Sequence, residues 1–431
     1  MKQTEQIERT TSTETLNTQP TKAIYFLRIF SITTLLFGLI LFSAMFYLVA
    51  SGPNAPIVLK MQDAGPVAFI GLITITFSLP PLTRKTKGFD ATIGIAMTFC
   101  LILLLEWGVR WIAPQSTDTS YDFPKQTIQA NGAINELPHP HIGYTYAPNQ
   151  EISKVIQQLD EQGDILSEET RVGRTDQYGR RLVPITNLED RPYHIIFFGG
   201  SFTSGFTLDD QHSLPTQLGQ QLPTYAPYNY GVDGYGTQNI LALLETTDLT
   251  TQVSQPEGIA IYVFMADHIQ RVIGHSSVIW QERLPYYQLD QSGTAHHQGK
   301  TLTSARPLRG LIQGVLLRSE LAKLFNVGFP RNWTEDHYQL TTQLILQAKA
   351  EYQAQFGPEN QFIVVIYPFY GAPELLPYLD TANIDYINYD FLSPYGDTLH
   401  PDYWQAGGHP KALTHAAVAH QLAQDLAPYT R

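Results

Sequence analysis

The sequence predicts an α/β domain with a mostly parallel β-sheet, preceded by three transmembrane helices. Nearly all of the long apolar runs lie before residue 113. Beyond residue 140, short apolar strands alternate with helical segments, and parallel neighbours need such crossover helices. A glycine-rich turn around Ser201 directly follows one of these strands. We therefore expect a membrane part and an outer α/β part that carries the chemistry.

Composition excludes several classes of protein. The 431 residues suffice for one large domain and a further part, and the net charge of -12 with no basic stripe argues against nucleic-acid binding. The single cysteine, Cys100, allows neither a disulfide framework nor a thiolate zinc site. The histidines show no metal-ligand spacing. We expect no metal and no cofactor.

Three apolar runs fill residues 23–113, after a Thr-, Gln- and Glu-rich stretch at 1–22 that we interpret as a disordered cytoplasmic tail. The runs at 23–50, 64–82 and 91–112 are each long enough to cross a bilayer. Within the third run, Glu106 and Arg110 are one turn apart and are expected to pair.

The basic residues of the short loops predict the orientation. Lysines and arginines precede the first run and crowd the loop at 84–90, whereas the loop between the first two runs has only Lys60. The positive-inside rule then places the amino terminus and the 84–90 loop in the cytoplasm. Three spans put everything after residue 113 on the extracytoplasmic side of the cytoplasmic (inner) membrane.

The outer domain is expected at 140–431, after a linker at 114–139 that lacks periodicity. The segment at 274–332 fits no regular unit and is interpreted as an insertion that shapes the substrate cleft. The predicted strands are 194–198, 228–232, 258–265 and 361–368, and the predicted helices are 211–222, 238–249, 337–356 and 411–426.

The stretch 194–205 carries the candidate nucleophile. Apolar residues run into Gly199 and Gly200, then Ser201, then Gly205. Glycines allow a sharp bend and a close approach of substrate. The turn would expose the Ser201 hydroxyl at the carboxyl end of a strand, where open α/β sheets bind ligands. The alternative is a glycine-rich turn with an incidental serine.

A nucleophilic serine needs a base and donors for the oxyanion. The turn at 229–237 supplies backbone amides, polar residues follow the strand that ends near residue 265, and His409 precedes the last helix. A lone histidine before a helix is often structural. The three features together, in this order, favour a catalytic site.

These blocks resemble the SGNH (GDSL-type) hydrolase family, and the resemblance covers residues 140–430. The stretch 199–205 resembles the nucleophile block, 229–237 resembles the second block, and His409-Pro410-Lys411 resembles the last block. The resemblance implies a flavodoxin-like sheet. It also implies Ser201 as the nucleophile, Gly234 as the oxyanion glycine and His409 as the base.

The chain departs from the family's pattern in the first and third blocks. Gly200 stands where the family has an acid before the serine. The third block's asparagine is replaced by Ala266 or Asp267, depending on a one-residue shift. Asp267 is thus the candidate second oxyanion residue, but an ionised carboxylate cannot donate a hydrogen bond. Either this part of the site is modified or His268 contributes.

The last block departs as well. Its usual aspartate, two or three residues before the histidine, is replaced by alanine and glycine. Asp397 or Asp402 could orient His409 instead, or a backbone carbonyl could do so in a Ser–His dyad. The rival base is His400, because Asp397 and His400 have the family's D-x-x-H spacing.

The resulting prediction is a membrane-anchored, extracytoplasmic serine esterase or O-acyltransferase. Its expected substrate is an acylated carbohydrate of the envelope or another ester. The alternative is a catalytically inactive SGNH-fold binding or scaffold protein of an envelope assembly.

Overall fold

The computed structural model describes residues 22–52, 61–83, 89–112, 125–131, 135–159, 164–205, 208–390, 404 and 408–430. Three long helices come first: α1 (Lys22–Ser51), α2 (Met61–Thr83) and α3 (Phe89–Ile112). Each contains an apolar window of at least 18 residues, which is long enough to cross a membrane by length and composition. The three apolar runs are therefore helical, as predicted.

The described residues after α3 form twelve strands and ten further helices. The strands are β1 (Lys125–Asn131), β2 (Glu136–His139), β3 (Gly143–Tyr146), β4 (Glu151–Leu159), β5 (Ile165–Arg174), β6 (Tyr193–Gly199), β7 (Tyr225–Asn229), β8 (Gly258–Phe264), β9 (Pro285–Leu289), β10 (Ala295–Thr301), β11 (Gln361–Ile366) and β12 (Tyr386–Asn388). The helices are α4 (Ser201–Ser204), α5 (Leu214–Gln221), α6 (Thr237–Thr246), α7 (Asp267–Ile273), α8 (Leu302–Ala305), α9 (Pro307–Arg318), α10 (Glu320–Leu324), α11 (Glu335–Phe356), α12 (Leu376–Thr381) and α13 (Ala412–Asp425).

The central sheet has five parallel strands in the order β12–β11–β8–β6–β7. If these five strands are numbered 1 to 5 along the chain and the sheet is followed from β7 to β12, the order is 2-1-3-4-5, which is the flavodoxin-like order. The chain crosses to one side of β6 to form β7 and to the other side to form β8, so the switch point lies between β6 and β8. Strand β6 lies inside the sheet between β7 and β8, and its run of isoleucines and phenylalanines is fully buried on both faces. The predicted parallel α/β sheet is confirmed, and its switch point lies beside Ser201.

Helices cover both faces of the sheet. On one face, α6, α7 and α11 contribute to a core cluster with Phe198, Tyr262 and Phe264. On the other, α5 and α13 pack on a second cluster that contains Phe197, Val263 and Trp404. Side chains alternate between the faces of a strand, so successive residues of β6 enter different clusters.

Two segments after α3 differ from the sequence predictions. The stretch interpreted as a linker contains β1, which pairs antiparallel with β4, and β2, which pairs with β3. Strands without an alternating apolar face leave little periodic signal, which is why they were missed. The segment 274–332 is also not irregular, since it forms the β9–β10 hairpin and helices α8 to α10.

Strand β7 begins and ends three residues earlier than predicted, at 225–229. Its register explains the shift, because Tyr193 to Phe197 pair with Tyr225 to Asn229. Tyr230 and Val232 still donate backbone hydrogen bonds to the Phe197 and Gly199 carbonyl oxygens of β6, at 2.9 and 3.1 Å, although they lie beyond the end of β7 in the turn at 230–236. The tail at 1–21 lies outside the described residues.

Candidate active site

The turn after β6 requires glycine and sets the position of Ser201. Gly199 has φ +153°, and a Cβ there would lie 2.1 Å from the Thr203 hydroxyl oxygen and 3.0 Å from the Val263 carbonyl oxygen. Ser201 then begins α4 at the carboxyl edge of the sheet. It is 8% exposed, and its exposed part faces a cleft.

His409 lies beside Ser201, although 208 positions separate them in the chain. The distance from Ser201 Oγ to His409 Nε2 is 3.0 Å. With Nε2 unprotonated, the serine hydroxyl donates this hydrogen bond, which is the arrangement a general base needs. The imidazole ring packs edge-on against Phe202, with 5.5 Å between ring centroids.

The backbone before His409 is held in a specific conformation. Gly408 has φ +76°, and its carbonyl oxygen accepts a 2.7 Å hydrogen bond from the Tyr370 hydroxyl. A Cβ on Gly408 would lie 2.2 Å from that hydroxyl oxygen. Glycine is thus required here, and the contact directs the following histidine toward the nucleophile. Asp397, Asp402 and the rival base His400 lie outside the described residues.

Gly234 lies on the cleft wall with Ser201 and His409, as its predicted role requires. It has φ +81°, and its carbonyl oxygen accepts a 3.0 Å hydrogen bond from Trp280 Nε1. The Tyr144 hydroxyl donates to the neighbouring Asp233 carbonyl oxygen at 2.7 Å. A Cβ on Gly234 would lie 2.6 Å from the Tyr144 hydroxyl oxygen, so two aromatic side chains fix this turn.

In the segment that follows β8, Arg271 lines the cleft, whereas the sequence suggested Asp267 for this position. Asp267 begins α7, but Arg271, one turn later, is the residue of this helix that lines the cleft. Arg271 is 7% exposed, and its Nη1 donates a 2.5 Å hydrogen bond to the Tyr235 carbonyl oxygen. Burial lowers the pKa of the guanidinium, and the Asp267 carboxylate opposes that shift.

The Arg271 guanidinium occupies the space beside Gly200. A Cβ on Gly200 would lie 2.7 Å from Arg271 Nη1. A larger residue next to Ser201 would require Arg271 to move, and a positive charge stands where the family resemblance would place an acid. Sequence reasoning missed Arg271, and only its position four residues after Asp267 on a helix following a strand could have suggested it.

His268 is fully buried beneath the same glycine. Its Nδ1 shares a 2.7 Å hydrogen bond with the Tyr262 hydroxyl, and its Nε2 has no hydrogen-bond partner. A Cβ on Gly200 would lie 3.2 Å from that Nε2. Burial and the nearby Arg271 charge hold the pKa of His268 well below its usual value, so the ring is neutral.

The cleft has a volume of about 370 Å³ and mixed chemistry. Ser201, Gly234, Arg271 and His409 line it, together with Glu136, Tyr144, Asp233, Ile279, Trp280, Glu282 and Arg283. Arg283 lies over the Tyr144 ring at 3.8 Å from its centroid and pairs with Glu136. The stretch 279–283 belongs to the predicted insertion, which therefore does line the cleft. Within the described ranges, no three His, Cys, Asp or Glu side chains group closely enough to hold a metal ion.

No family model and no curated protein matches this chain. Among solved structures, it resembles a member of the lipolytic G-D-S-L family from Veillonella parvula, with 14% identity and a TM-score of 0.34 over 55% of this chain and all of the other. It also resembles TesA, with 13% identity and a TM-score of 0.31 over 55% of this chain and 99% of the other.

A third similar structure is a catalytic mutant of an acetylxylan esterase from Geobacillus stearothermophilus. Its identity is 11% and its TM-score 0.29, over 55% of this chain and 95% of the other. At such values these comparisons assign no activity to this chain. The functional conclusion therefore depends on the site itself.

Proposed function

We propose that the protein is a membrane-anchored serine esterase, with Ser201 as nucleophile and His409 as general base. The observation that carries this proposal is the 3.0 Å hydrogen bond between Ser201 Oγ and His409 Nε2 at the edge of an open cleft. A serine hydroxyl is a weak nucleophile until a base takes its proton. The position at the switch point of a parallel sheet is where such folds bind ligands.

In the proposed reaction, Ser201 Oγ attacks the ester carbonyl carbon while His409 Nε2 takes the hydroxyl proton. Backbone amides at Ser201 and Gly234 would stabilise the tetrahedral oxyanion. The protonated His409 then gives its proton to the departing alkoxide, which leaves as an alcohol. Water attacks the acyl-enzyme by the same route and restores Ser201. A sugar hydroxyl in place of water would make the reaction an acyl transfer.

Arg271 is proposed to supply the hydrogen-bond donor to the oxyanion that the third block's asparagine supplies elsewhere in the family, with a positive charge in addition. Its guanidinium borders the residue before the nucleophile and lines the cleft. In a buried site a fixed positive charge stabilises a developing oxyanion strongly, because little water screens it. Asp267 would then act through Arg271, by keeping the guanidinium charged.

The proposed substrate is an acylated carbohydrate of the envelope. Trp280 offers a flat amphipathic surface, and Glu136 and Glu282 offer hydrogen-bond acceptors for hydroxyl groups. The basic loops and the three apolar helices support an outer domain on the extracytoplasmic side of the cytoplasmic membrane, where such glycans occur. An O-acyltransferase is the closely related possibility.

The test is ester hydrolysis by the detergent-purified full chain. We expect hydrolysis of 4-nitrophenyl acetate and release of acetate from an acetylated polysaccharide. Ser201→Ala should lose both by at least about 10³-fold. Ser213→Ala is the matched control, since Ser213 is buried in the same domain but bonds to Asp210 and Thr216. Equal activity in wild type and Ser201→Ala would refute the mechanism.

The second candidate is an inactive binding or scaffold domain. Two observations favour it. The residues directly after β8, at 265–268, include no asparagine, and the two positions before His409 carry no acid. A folded, wholly inactive wild type that nevertheless binds the polysaccharide would establish this alternative.

A further inference from the structure

Exposed apolar side chains of the outer domain are concentrated in one stretch, residues 307–329, here called the interfacial segment. It comprises α9, α10 and the chain that follows them. Outside the three long helices, eleven large apolar side chains are exposed among the described residues, and six of them lie in this segment. They are Leu308, Ile312, Leu324, Phe325, Val327 and Phe329, with exposed fractions from 47% to 71%. Such a concentration is a sign of an apolar partner.

Helix α9 packs directly on the first turns of α2. A Cβ on Gly65 would lie 2.7 Å from the Gly314 Cα atom, so glycine allows the two backbones to approach closely. Arg318 Nη2 lies 2.5 Å from Asp63 Oδ1. Leu311 forms a buried cluster with Val49 of α1 and with Ala64 and Ala68 of α2.

Helix α10 is attached to the end of α3 through Glu106. This carboxylate accepts hydrogen bonds from Ser319 Oγ at 2.8 Å, Glu320 N at 2.7 Å and Leu321 N at 3.2 Å. A carboxylate at a helix N-terminus satisfies amides that otherwise lack partners. The acidic residue of the third span therefore binds the interfacial segment, a contact the sequence did not predict. The side chain of Arg110, its predicted partner, lies outside the described residues.

These contacts set the depth of the segment. The apolar window of α2 has 18 residues and begins at Asp63, which gives about 27 Å of helix for a hydrocarbon core of about 30 Å. Because the window is no longer than the hydrocarbon core is thick, its first residues, Asp63 to Ala68, lie at the boundary of the bilayer. Helix α9 packs on these residues and lies at the same depth. Its exposed apolar side chains would then meet lipid.

We propose that the interfacial segment is immersed in the phospholipid interface at the outer ends of the three spans. This inference rests on the proposed membrane placement of α1 to α3. Burying apolar side chains in the interface stabilises the bound orientation.

The segment also connects the bilayer to the cleft. Arg309 Nη2 and Gln313 Nε2 both donate to the Gly274 carbonyl oxygen, at 2.7 and 2.9 Å. Gly274 ends α7, the helix that carries Arg271 into the cleft. Immersion of α9 therefore fixes the cleft at a defined height and angle above the membrane, one helix away from the lipid.

The test is nitroxide labelling of the full chain in phosphatidylcholine–phosphatidylglycerol nanodiscs, read by collisional relaxation with oxygen and a water-soluble nickel chelate. Phe325→Cys and Leu413→Cys are labelled in a Cys100→Ala background. Native Cys100, exposed in the middle of α3, is the lipid reference. Leu413 is the aqueous reference, because it is 58% exposed on α13, across the sheet from α7.

We expect the oxygen-to-nickel accessibility ratio at Phe325 to exceed that at Leu413 several-fold and to stay below that at Cys100, because Cys100 lies in the middle of its span and Phe325 in the interface. A ratio equal to that at Leu413 would overturn the proposal. Val327→Cys, also exposed, replaces Phe325→Cys if that variant does not fold. A water-accessible Cys100 would refute the membrane placement and this inference with it, whereas the esterase assay in detergent would be unaffected.

Discussion

Strand β6 carries a histidine–hydroxyl pair at each end. At its start, His194 Nδ1 donates to the Gln255 carbonyl oxygen at 2.8 Å, and Nε2 lies 2.7 Å from the Tyr352 hydroxyl. Beyond its end, His409 lies 3.0 Å from Ser201 Oγ. The two pairs have the same chemistry and nearly the same distance. They differ in surroundings, because His194 is fully buried and its pair is enclosed, whereas Ser201 and His409 border a cleft.

The difference shows that hydrogen-bond distance alone does not define a catalytic pair. Burial lowers the pKa of His194 to about 4, and both of its nitrogens are bound to fixed partners. It can neither receive a substrate proton nor move. The other pair lies at the carboxyl end of the sheet, where turns and helix N-termini leave room for a ligand.

Replacing each histidine should separate the two roles. His409→Ala should lower ester hydrolysis by at least about 10³-fold and change the thermal midpoint by only a degree or two, since the ring is partly exposed. His194→Ala should lower the midpoint by several degrees, because it leaves the Tyr352 hydroxyl buried without its partner. The folded His194→Ala protein should keep its activity per molecule. Activity assays beside thermal unfolding in detergent measure both effects.

The comparison would fail if His409→Ala kept its activity or if folded His194→Ala lost it. The first result would favour His400 as the base.

Arg271 distinguishes the two ends of β6, since it places a charge beside Ser201, the proposed nucleophile. Arg271→Met should lower kcat by about 10² to 10³-fold with little change in KM, as expected for a group that acts on the transition state. Arg271→Lys should recover part of this loss. Arg306→Met is the control, because Arg306 bonds to Ile273 and Tyr286 and does not line the cleft. Equal losses in the Met and Lys variants would indicate a structural role.

The buried pair should also give the protein a pH-dependent stability. The folded-state pKa of His194 is about 4, below its unfolded value of about 6.5, so the unfolded chain binds the extra proton in this window. Stability is therefore full above pH 6.5 and falls as the pH drops toward 4. At pH 4.5 the loss is about 2 to 3 kcal/mol.

Denaturant unfolding at pH 7 and 4.5 measures this loss. His194→Gln should show a smaller loss than wild type between the two values. His415 is also held neutral by burial, but it is present in both proteins and cancels in the difference. Equal losses in the two proteins would contradict the assignment to His194.

Local patterns predicted much of this molecule. The apolar runs of β6, β8 and β11 are continuous because both faces of these strands are buried, and such runs can be read without a structure. Ser201, Gly234 and His409 follow strands or precede a helix, so their meeting at one edge follows from the parallel sheet.

Contacts between distant segments could not be predicted in this way. Nothing near Gly200 in sequence indicates that Arg271 fills the space beside it, because that depends on how α7 leaves β8. Strands β1 and β2 have no apolar periodicity, and their pairing partners define them. The bond from Glu106 to α10 joins residues more than 200 positions apart.

If Ser201 is an activated nucleophile, as we propose, its hydroxyl oxygen should form a covalent bond with a phosphonylating reagent. The detergent-purified full chain is treated with a fluorophosphonate and its intact mass is measured, with Ser201→Ala and His409→Ala beside it. We expect one adduct per wild-type chain, none in Ser201→Ala and much slower labelling in His409→Ala. A folded wild type that forms no adduct, or an adduct that persists in Ser201→Ala, would contradict the proposal.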